Sequence, residues 1–228
     1  MQLYMRVVLL RWSGVLLFLM GLISGVAEGQ SAVVVHHQVK LGEVQVLLGE
    51  WQKSDSNVSV RIDKLRWYLS LPTAGKKGSK AWLLDLADSA SLDQQMSRPV
   101  NNKISLLFGI DSAIQVGGVG TGALDPLRGM YWTWQTGYVQ WKMEGAIRVD
   151  GVESPLELHL GGFDGATKSQ SMLSDYLIYP TTNSVIAQWD ILPFLAEVVH
   201  QKKFGVMSPS PIARDYCRII ANGVSFHK

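Results

Sequence analysis

Residues 58–71, VSVRIDKLRWYLSL, carry the clearest strand pattern of the chain. Up to Ile62 the apolar side chains occupy even positions, and from Leu65 onward they occupy odd positions. Alternation with a period of two is typical of a strand with one buried face. The change of parity across Asp63 and Lys64 predicts a bulge or turn, because one extra residue returns the apolar side chains to the same face.

Similar patterns occur on both sides of this stretch. Strands are predicted over AWLLDLAD, KISLLFGID, VESPLELHLGGF and the SDYLIYP region, with a polar loop over residues 89–102. Two helices are predicted near the end, ILPFLAEVVHQKK after Asp190 and IARDYCRIIAN after Ser210, because each follows a capping residue and precedes a glycine. The sequence therefore predicts a mainly β domain over residues 28–228. We expect an antiparallel β-sandwich or a partly closed barrel, with two short C-terminal helices at about residues 190–223.

The N-terminal segment has the composition of a secretory signal. Residues 1–11 contain two arginines and no acid, and residues 13–27 are an uncharged, mostly apolar run. We predict a signal peptide over residues 1–27, with an uncleaved anchor as the alternative. A signal peptide predicts a periplasmic or secreted protein that has no membrane segment after cleavage. Cleavage removes two of the 21 basic residues and none of the 19 acidic ones. The remaining chain has no net charge, so nothing indicates a nucleic-acid partner.

Two other motifs are assigned structural roles. Cys217 is the single cysteine, which excludes an intrachain disulfide and a four-thiolate metal cluster, and we expect it to be buried in the second helix. Residues 118–123 fit G-x-G-x-x-A, a dinucleotide fingerprint that requires a helix to begin there. Because Pro126 and Gly129 interrupt this segment and a β-type run follows, a surface loop with positive φ angles is predicted instead.

Residues 130–141, MYWTWQTGYVQW, contain three of the eight tryptophans. Trp132 and Trp134 share one face of a strand, whereas Trp141 has the opposite parity. A one-residue bulge at Thr136-Gly137 is therefore predicted, because it would return the apolar side chains on both sides of it to the same face. Packing in a core is the structural interpretation of these rings. The chemical interpretation is oxidation of an indole near the surface, with neighbouring rings relaying the electron. The rings that could form this relay are Trp132, Trp134, Tyr138 and Trp141.

Histidines are the candidate metal ligands. In residues 154–162, SPLELHLGG, the leucines share one parity and face the core, so His159 faces outward. His36 and His37 are adjacent and point to opposite faces of a strand, so only one of them could join His159. Two imidazoles with soft or aromatic-derived donors suit copper, whereas two imidazoles with carboxylates suit zinc or iron.

The run FGIDSAIQVGGVGTGALDPLRGMYWTWQTGYVQWKMEG, together with LELHLGGF downstream, resembles the MbnP-like family, one half of the metallo-mystery pair. VRIDKLRWYLSL, WLLDLAD and the paired histidines fit weaker positions, so the resemblance covers about residues 33–223. It implies an exported β-rich protein that works with a secreted di-haem protein of the cytochrome c peroxidase/MauG type. In such proteins the partner oxidises a tryptophan to kynurenine, and copper is bound by that residue and by histidines.

Carried onto this chain, the resemblance makes Trp132 or Trp134 the candidate for modification. It makes His159, with His36 or His37, the candidate for copper. The expected function is non-enzymatic copper acquisition or handling. The alternatives are an exported β-sandwich binding or structural module without a metal site, and an enzyme with a mononuclear metal centre.

Overall fold

The computed structural model describes residues 32–72, 80–133 and 135–228, so the predicted signal peptide and Trp134 lie outside the described residues. The strands are β1 Ala32–Leu41, β2 Val44–Gln45, β3 Trp51–Lys53, β4 Val58–Ser70, β5 Ala81–Asp85, β6 Asp93–Ser97, β7 Lys103–Ile104, β8 Leu107–Phe108, β9 Tyr131–Thr133, β10 Gly137–Val149, β11 Val152–Gly161, β12 Ser171–Met172, β13 Tyr176–Leu177, β14 Ser184–Asp190, β15 Gly205–Val206 and β16 Val224–His227. The helices are α1 Ser112–Val116, α2 Leu192–Gln201 and α3 Pro211–Asn222. Short 3-10 turns span Ser89–Leu92, Gly122–Leu124, Pro126–Arg128 and Gly165–Thr167.

Two sheets contain most of these strands. The smaller sheet has the order β16-β14-β1-β2, with β6 also paired to β1. The larger sheet has the order β12-β8-β4-β10-β11-β15, with β3 and β5 beside β4 and β9 beside β10. Most pairs are antiparallel, but β1 with β14 and β11 with β15 are parallel. The prediction of a mainly β fold is confirmed, and one of the sheets is curled into a half-barrel.

The main hydrophobic core lies between the two sheets, because alternate residues of each sheet face it. In β1 the odd-numbered residues from Val33 to Leu41 are buried, and in β11 the core is formed by Leu156, Leu158 and Leu160. The largest fully buried side chains are Trp67, Trp141 and Trp189. Side chains of opposite parity therefore lie on the outer face of one sheet or the other.

The irregularity predicted in residues 58–71 is confirmed as a bulge inside one long strand. The pairing of β10 with β4 shifts register between Glu144 and Gly145, which lie opposite Lys64 and Ile62. The unpaired residue is Asp63, which is exposed. The extra residue allows the apolar side chains on both sides of the bulge to face the same core.

A second, smaller cluster covers the outer face of the larger sheet. Its fully buried members are Tyr68, Ile110, Met130, Tyr138 and Val139. The glycine-rich segment lies over it, since the Tyr68 hydroxyl donates to the Ala123 carbonyl. Gly118 and Gly122 have φ angles of 79° and 64°, so the predicted loop with positive φ is confirmed.

The two C-terminal helices occur where they were predicted. The Asp190 carboxylate accepts a hydrogen bond from the Leu192 amide, and the Ser210 hydroxyl accepts one from the Ala213 amide. Cys217 is fully buried in α3, as expected. None of the helices in the described parts of the chain has the length and hydropathy needed to span a bilayer.

Candidate functional site

The tryptophan-rich stretch forms a tight hairpin and not a single bulged strand. β9 folds back onto the start of β10, with Thr133 opposite Gly137 and Tyr131 opposite Tyr138. Residues 135–136 form a turn, and Gly137 has a φ angle of 71°, a conformation that favours glycine. The interpretation of Thr136-Gly137 as a bulge within one strand was therefore wrong, because the chain reverses direction there.

Trp132 is half-buried on the outer face of the larger sheet. Its ring packs against Gly161, where a Cβ would come within 2.8 Å of the Trp132 Cζ3 atom. Gly161 and His159 have the same parity on β11, opposite to the core-facing Leu160. Residues two apart on a strand are separated by about 7 Å. The Trp132 ring therefore covers the position next to His159 on the same face of the sheet, and these two positions of β11 are about one strand repeat apart.

The described rings do not form the predicted aromatic relay from Trp132 to Trp141. Trp141 lies on the inner side of the sheet, with its ring centroid 5.6 Å from that of Trp67. Tyr138 lies in the outer cluster, with its ring centroid 5.8 Å from that of Tyr68. The backbone of the sheet separates these two groups of rings, so the described rings do not provide the step from Tyr138 to Trp141 that the predicted relay requires. Trp134, the other member of that relay, lies outside the described residues.

Buried amide side chains hold the start of β10 in place. The Gln115 Oε1 atom accepts a hydrogen bond from the Tyr138 amide at 3.0 Å, and the Gln140 Oε1 atom accepts one from the Ile110 amide at 2.7 Å. The Tyr138 hydroxyl donates to the Leu124 carbonyl at 3.0 Å. These bonds link the hairpin to the glycine-rich loop and define the position of the strand that follows Trp132.

His159 takes part in a charged cluster on the same outer face. Its Nε2 atom lies 2.8 Å from Glu144 Oε1, and its side chain is 12% exposed. Lys64 Nζ lies 2.7 Å from Glu144 Oε2, and Lys142 Nζ lies 3.2 Å from Glu144 Oε1. Among the described residues the His159 Nδ1 atom has no hydrogen-bond partner. The cluster therefore leaves one imidazole nitrogen of a largely buried histidine unengaged.

The protonation states in this cluster follow from burial and from its hydrogen bonds. Burial alone would raise the pKa of Glu144, but hydrogen bonds from Lys64, His159 and Lys142 outweigh burial and lower this pKa to about 2. Burial lowers the pKa of His159, and the hydrogen bond to Glu144 offsets only part of that effect. At neutral pH Glu144 is therefore an anion and His159 a neutral imidazole.

His37 is a buried core residue with both ring nitrogens engaged. Its Nδ1 atom accepts a hydrogen bond from Trp189 Nε1 at 3.1 Å, and its Nε2 atom lies 2.9 Å from Gln94 Oε1. Burial lowers the pKa of His37 to about 4, so the imidazole is neutral at physiological pH. His37 is therefore a structural residue, and its hydrogen bonds link β1 to β6 and β14.

His36 faces the opposite way, on the outer face of the smaller sheet. Its Nδ1 atom lies 2.7 Å from Asp93 Oδ1, and its side chain is 41% exposed. His159 is on the outer face of the larger sheet, and the main core lies between the two sheets. The structure therefore does not bring either His36 or His37 to His159, which corrects the predicted pairing of these histidines.

Comparison with known proteins identifies the family. The family model described as MbnP matches residues 30–207, which is most of the chain. The chain belongs to the MbnP family. A solved structure, MbnP from Methylosinus trichosporium, is similar at 15% sequence identity and a TM-score of 0.47, covering 73% of this chain and 77% of that chain. No curated protein matches.

A copper site in this MbnP family member would need several donors beside Trp132. Within residues 32–72, 80–133 and 135–228, no group of three or more His, Cys, Asp or Glu side chains could hold a metal ion. The unengaged Nδ1 of His159 is a donor that copper accepts, whereas an unmodified indole offers only an N–H group. The described residues thus fit copper only if a modified tryptophan supplies further donors.

Sequence reasoning misses two residues of this MbnP family member that determine the state of its histidines. Gln94 lies in β6, within the segment predicted as a polar loop, although Gln94 and Met96 alternate with exposed neighbours. Glu144 follows the core-facing Met143, so alternation predicts that its side chain lies on the outer face of the sheet. This is only a weak signal of its contact with His159. Neither residue is apolar, so an analysis of hydrophobic periodicity gives them little weight.

Proposed function

We propose that this MbnP family member is an exported copper-binding protein of the periplasm. Its copper site would be on the outer face of the larger sheet and would use His159 and an oxidised tryptophan of the 132–134 segment. The observation that carries the proposal is the position of the Trp132 ring against Gly161, about one strand repeat from His159. The role would be copper acquisition or handling and not catalysis.

Oxidation of the tryptophan would supply the missing donors. Oxidative cleavage of the C2–C3 bond of an indole, with loss of C2 as formate, gives kynurenine. The aryl amine and the carbonyl of kynurenine can both approach a metal ion. We propose that a secreted di-haem protein of the cytochrome c peroxidase/MauG type removes the electrons and passes them to hydrogen peroxide, which is reduced to water, while water supplies the oxygen atoms of the new carbonyl and of the formate. Trp132 is half-buried on an outer face, so such a partner would need no relay through the core.

The second candidate is an exported β-sandwich module that binds or supports another molecule without a metal. The observation in its favour is that the described residues contain no preformed group of three or more ionisable metal ligands. In that case the Trp132 ring would serve only to cover Gly161 and the outer cluster.

Copper titration and peptide mass mapping separate the two candidates. The protein would be purified after expression with and without a di-haem partner, and Cu(I) and Cu(II) uptake would be measured for both preparations. We expect stoichiometric uptake by the co-expressed protein, together with the small, defined gain in mass that kynurenine produces in the peptide containing residues 130–141. Trp132→Phe and Trp134→Phe variants assign the modified residue.

The control for the histidine assignment is His36, which is exposed on the other sheet. His159→Gln should abolish or strongly weaken copper uptake, whereas His36→Gln should leave it unchanged. Absence of stoichiometric copper in every preparation would exclude the copper function and favour the metal-free module.

A further inference from the structure

We infer that Glu144 is a positioning residue that holds His159 in the tautomer with a proton on Nε2 and a free lone pair on Nδ1. The relevance of this tautomer to copper rests on the proposed function. The tautomer itself does not, because it follows from contacts within the metal-free chain.

The register of the larger sheet brings Glu144 to His159. In the β10–β11 pair, Glu144 lies opposite Glu157 and Lys142 lies opposite His159. Glu144 is therefore the diagonal neighbour of His159, and its Oε1 atom reaches Nε2 at 2.8 Å. Diagonal neighbours on one face of an antiparallel pair are within reach when both side chains are long.

The chemistry of the carboxylate determines which nitrogen carries the proton. An ionised carboxylate can only accept hydrogen bonds, so the nitrogen facing Glu144 must be the donor. The ammonium groups of Lys64 and Lys142, at 2.7 and 3.2 Å from the two carboxylate oxygens, favour the ionised form. A neutral imidazole has one N–H group, so Nδ1 then carries the lone pair.

Glu144 and the Trp132 ring lie beside the two positions that flank His159 on the outer face of β11. Glu144 lies beside position 157 of β11, and the Trp132 ring lies against Gly161. Positions 157 and 161 lie on opposite sides of His159 along the strand, so the carboxylate reaches the imidazole from the side of position 157. This arrangement resembles the general pattern in which a carboxylate binds one nitrogen of a histidine and leaves the other free to act as a ligand.

The experiment is a long-range ¹H–¹⁵N NMR measurement on metal-free, ¹⁵N-histidine-labelled protein at neutral pH. We expect His159 in the wild type to show a protonated Nε2 and an unprotonated Nδ1. Glu144→Leu should lose this single tautomer, and Glu144→Gln should retain it, because an amide oxygen still accepts from Nε2. Asp93→Asn, which removes the carboxylate beside His36, is the matched control and should leave His159 unchanged.

A wild-type His159 protonated on Nδ1, or a Glu144→Leu variant that folds and keeps the wild-type tautomer, would overturn the inference. The wild-type spectrum is decisive even if Glu144→Leu does not fold. If the protein binds copper, Glu144→Leu should weaken binding by about 10–100-fold, the range typical of residues that support a metal ligand. A protein that shows the expected tautomer but no copper uptake would contradict the proposed function and leave this inference intact.

Discussion

At the scale of single residues, the histidines differ because of the groups that surround them. His37 and His159 are both mainly buried, but His37 uses both ring nitrogens and His159 uses one. His36 is adjacent to His37 in the chain and is exposed on the other side of the same strand. A histidine therefore cannot be assigned as a ligand from its residue type, because its free lone pairs depend on its neighbours.

The buried His37 predicts a fall in stability at acid pH. The pKa of His37 is about 4 in the folded protein and 6.5 in its unperturbed state, because burial disfavours the charged ring. The unfolded chain therefore takes up a proton first as the pH decreases, and stability is lost from about pH 6.5 down through pH 4. The free energy of unfolding, measured with urea, should decrease by about 3 kcal/mol over this range from His37 alone.

Two other groups help to separate this effect. The pKa of His159 is also lowered, so His159 contributes to the acid-induced loss as well. The His159→Gln variant should keep most of the loss, because the contribution of the more deeply buried His37 remains. Glu144, with a pKa of about 2, loses its stabilising contribution only at lower pH, below its unperturbed value of 4.5. An NMR titration in which the His37 ring is protonated near pH 6.5 in the folded protein would contradict the prediction.

At the scale of secondary-structure elements, the bulge in β4 and the glycine opposite it form one feature. Gly145 pairs with Ile62 at the register shift, and the two strands approach so closely that a Cβ on Gly145 would overlap the Arg61 carbonyl oxygen. The same pairing places Lys64 opposite Glu144. The bulge thus determines both the core-facing side chains and the charged cluster around His159.

Gly145→Ala should therefore destabilise the protein by about 3 kcal/mol or more, a loss at the upper end of the usual range for a single substitution. The clash is with the backbone, so rotation of a side chain cannot relieve it. Chemical denaturation of the variant and the wild type measures the difference.

The matched control is Gly205→Ala, since Gly205 also lies in a strand of the larger sheet and a Cβ there would have no heavy atom within 4 Å. This control should change the free energy of unfolding by less than about 0.5 kcal/mol. Equal effects of the two substitutions would show that the close approach of β4 and β10 is not what requires glycine.

At the scale of the whole molecule, α2 and α3 close the core formed by the two sheets. Phe194 of α2 contacts Trp141 of the larger sheet and Tyr216 of α3, with ring centroids 6.3 and 5.5 Å apart. Cys217, the next residue in α3, is completely buried. The helices are therefore part of the main core and not a separate appendix.

This packing predicts that the Cys217 thiol is unreactive in the folded protein. Burial raises the pKa of Cys217, and the thiolate is the reactive form, so both accessibility and ionisation oppose labelling. Labelling with a thiol reagent at neutral pH should be slow in native buffer and complete in denaturant. Rapid labelling of the native protein would show that α3 separates from the sheets in a local opening. The free energy of that opening would be far lower than the free energy of global unfolding.

The sequence alone determined the direction of side chains within the long strands and the positions of the terminal helices. Burial on one face of a strand requires a period of two, so Leu158 inward and His159 outward could be predicted from the residues around them. The starts of the two helices could be predicted because capping side chains act on amides two or three residues away. Resemblance to a known family added the tryptophan and histidine candidates, and a family match confirmed that family.

Only the tertiary structure decided which side chains meet. Trp189 and His37 are 152 positions apart, and they meet because β14 pairs with β1 in parallel. The contact of Glu144 with His159 depends on the register of the β10–β11 hairpin. Pairing and register are selected by the free energy of the complete core, to which every strand contributes. Local patterns of polarity determine only which face each side chain occupies, because many pairings satisfy the same alternation.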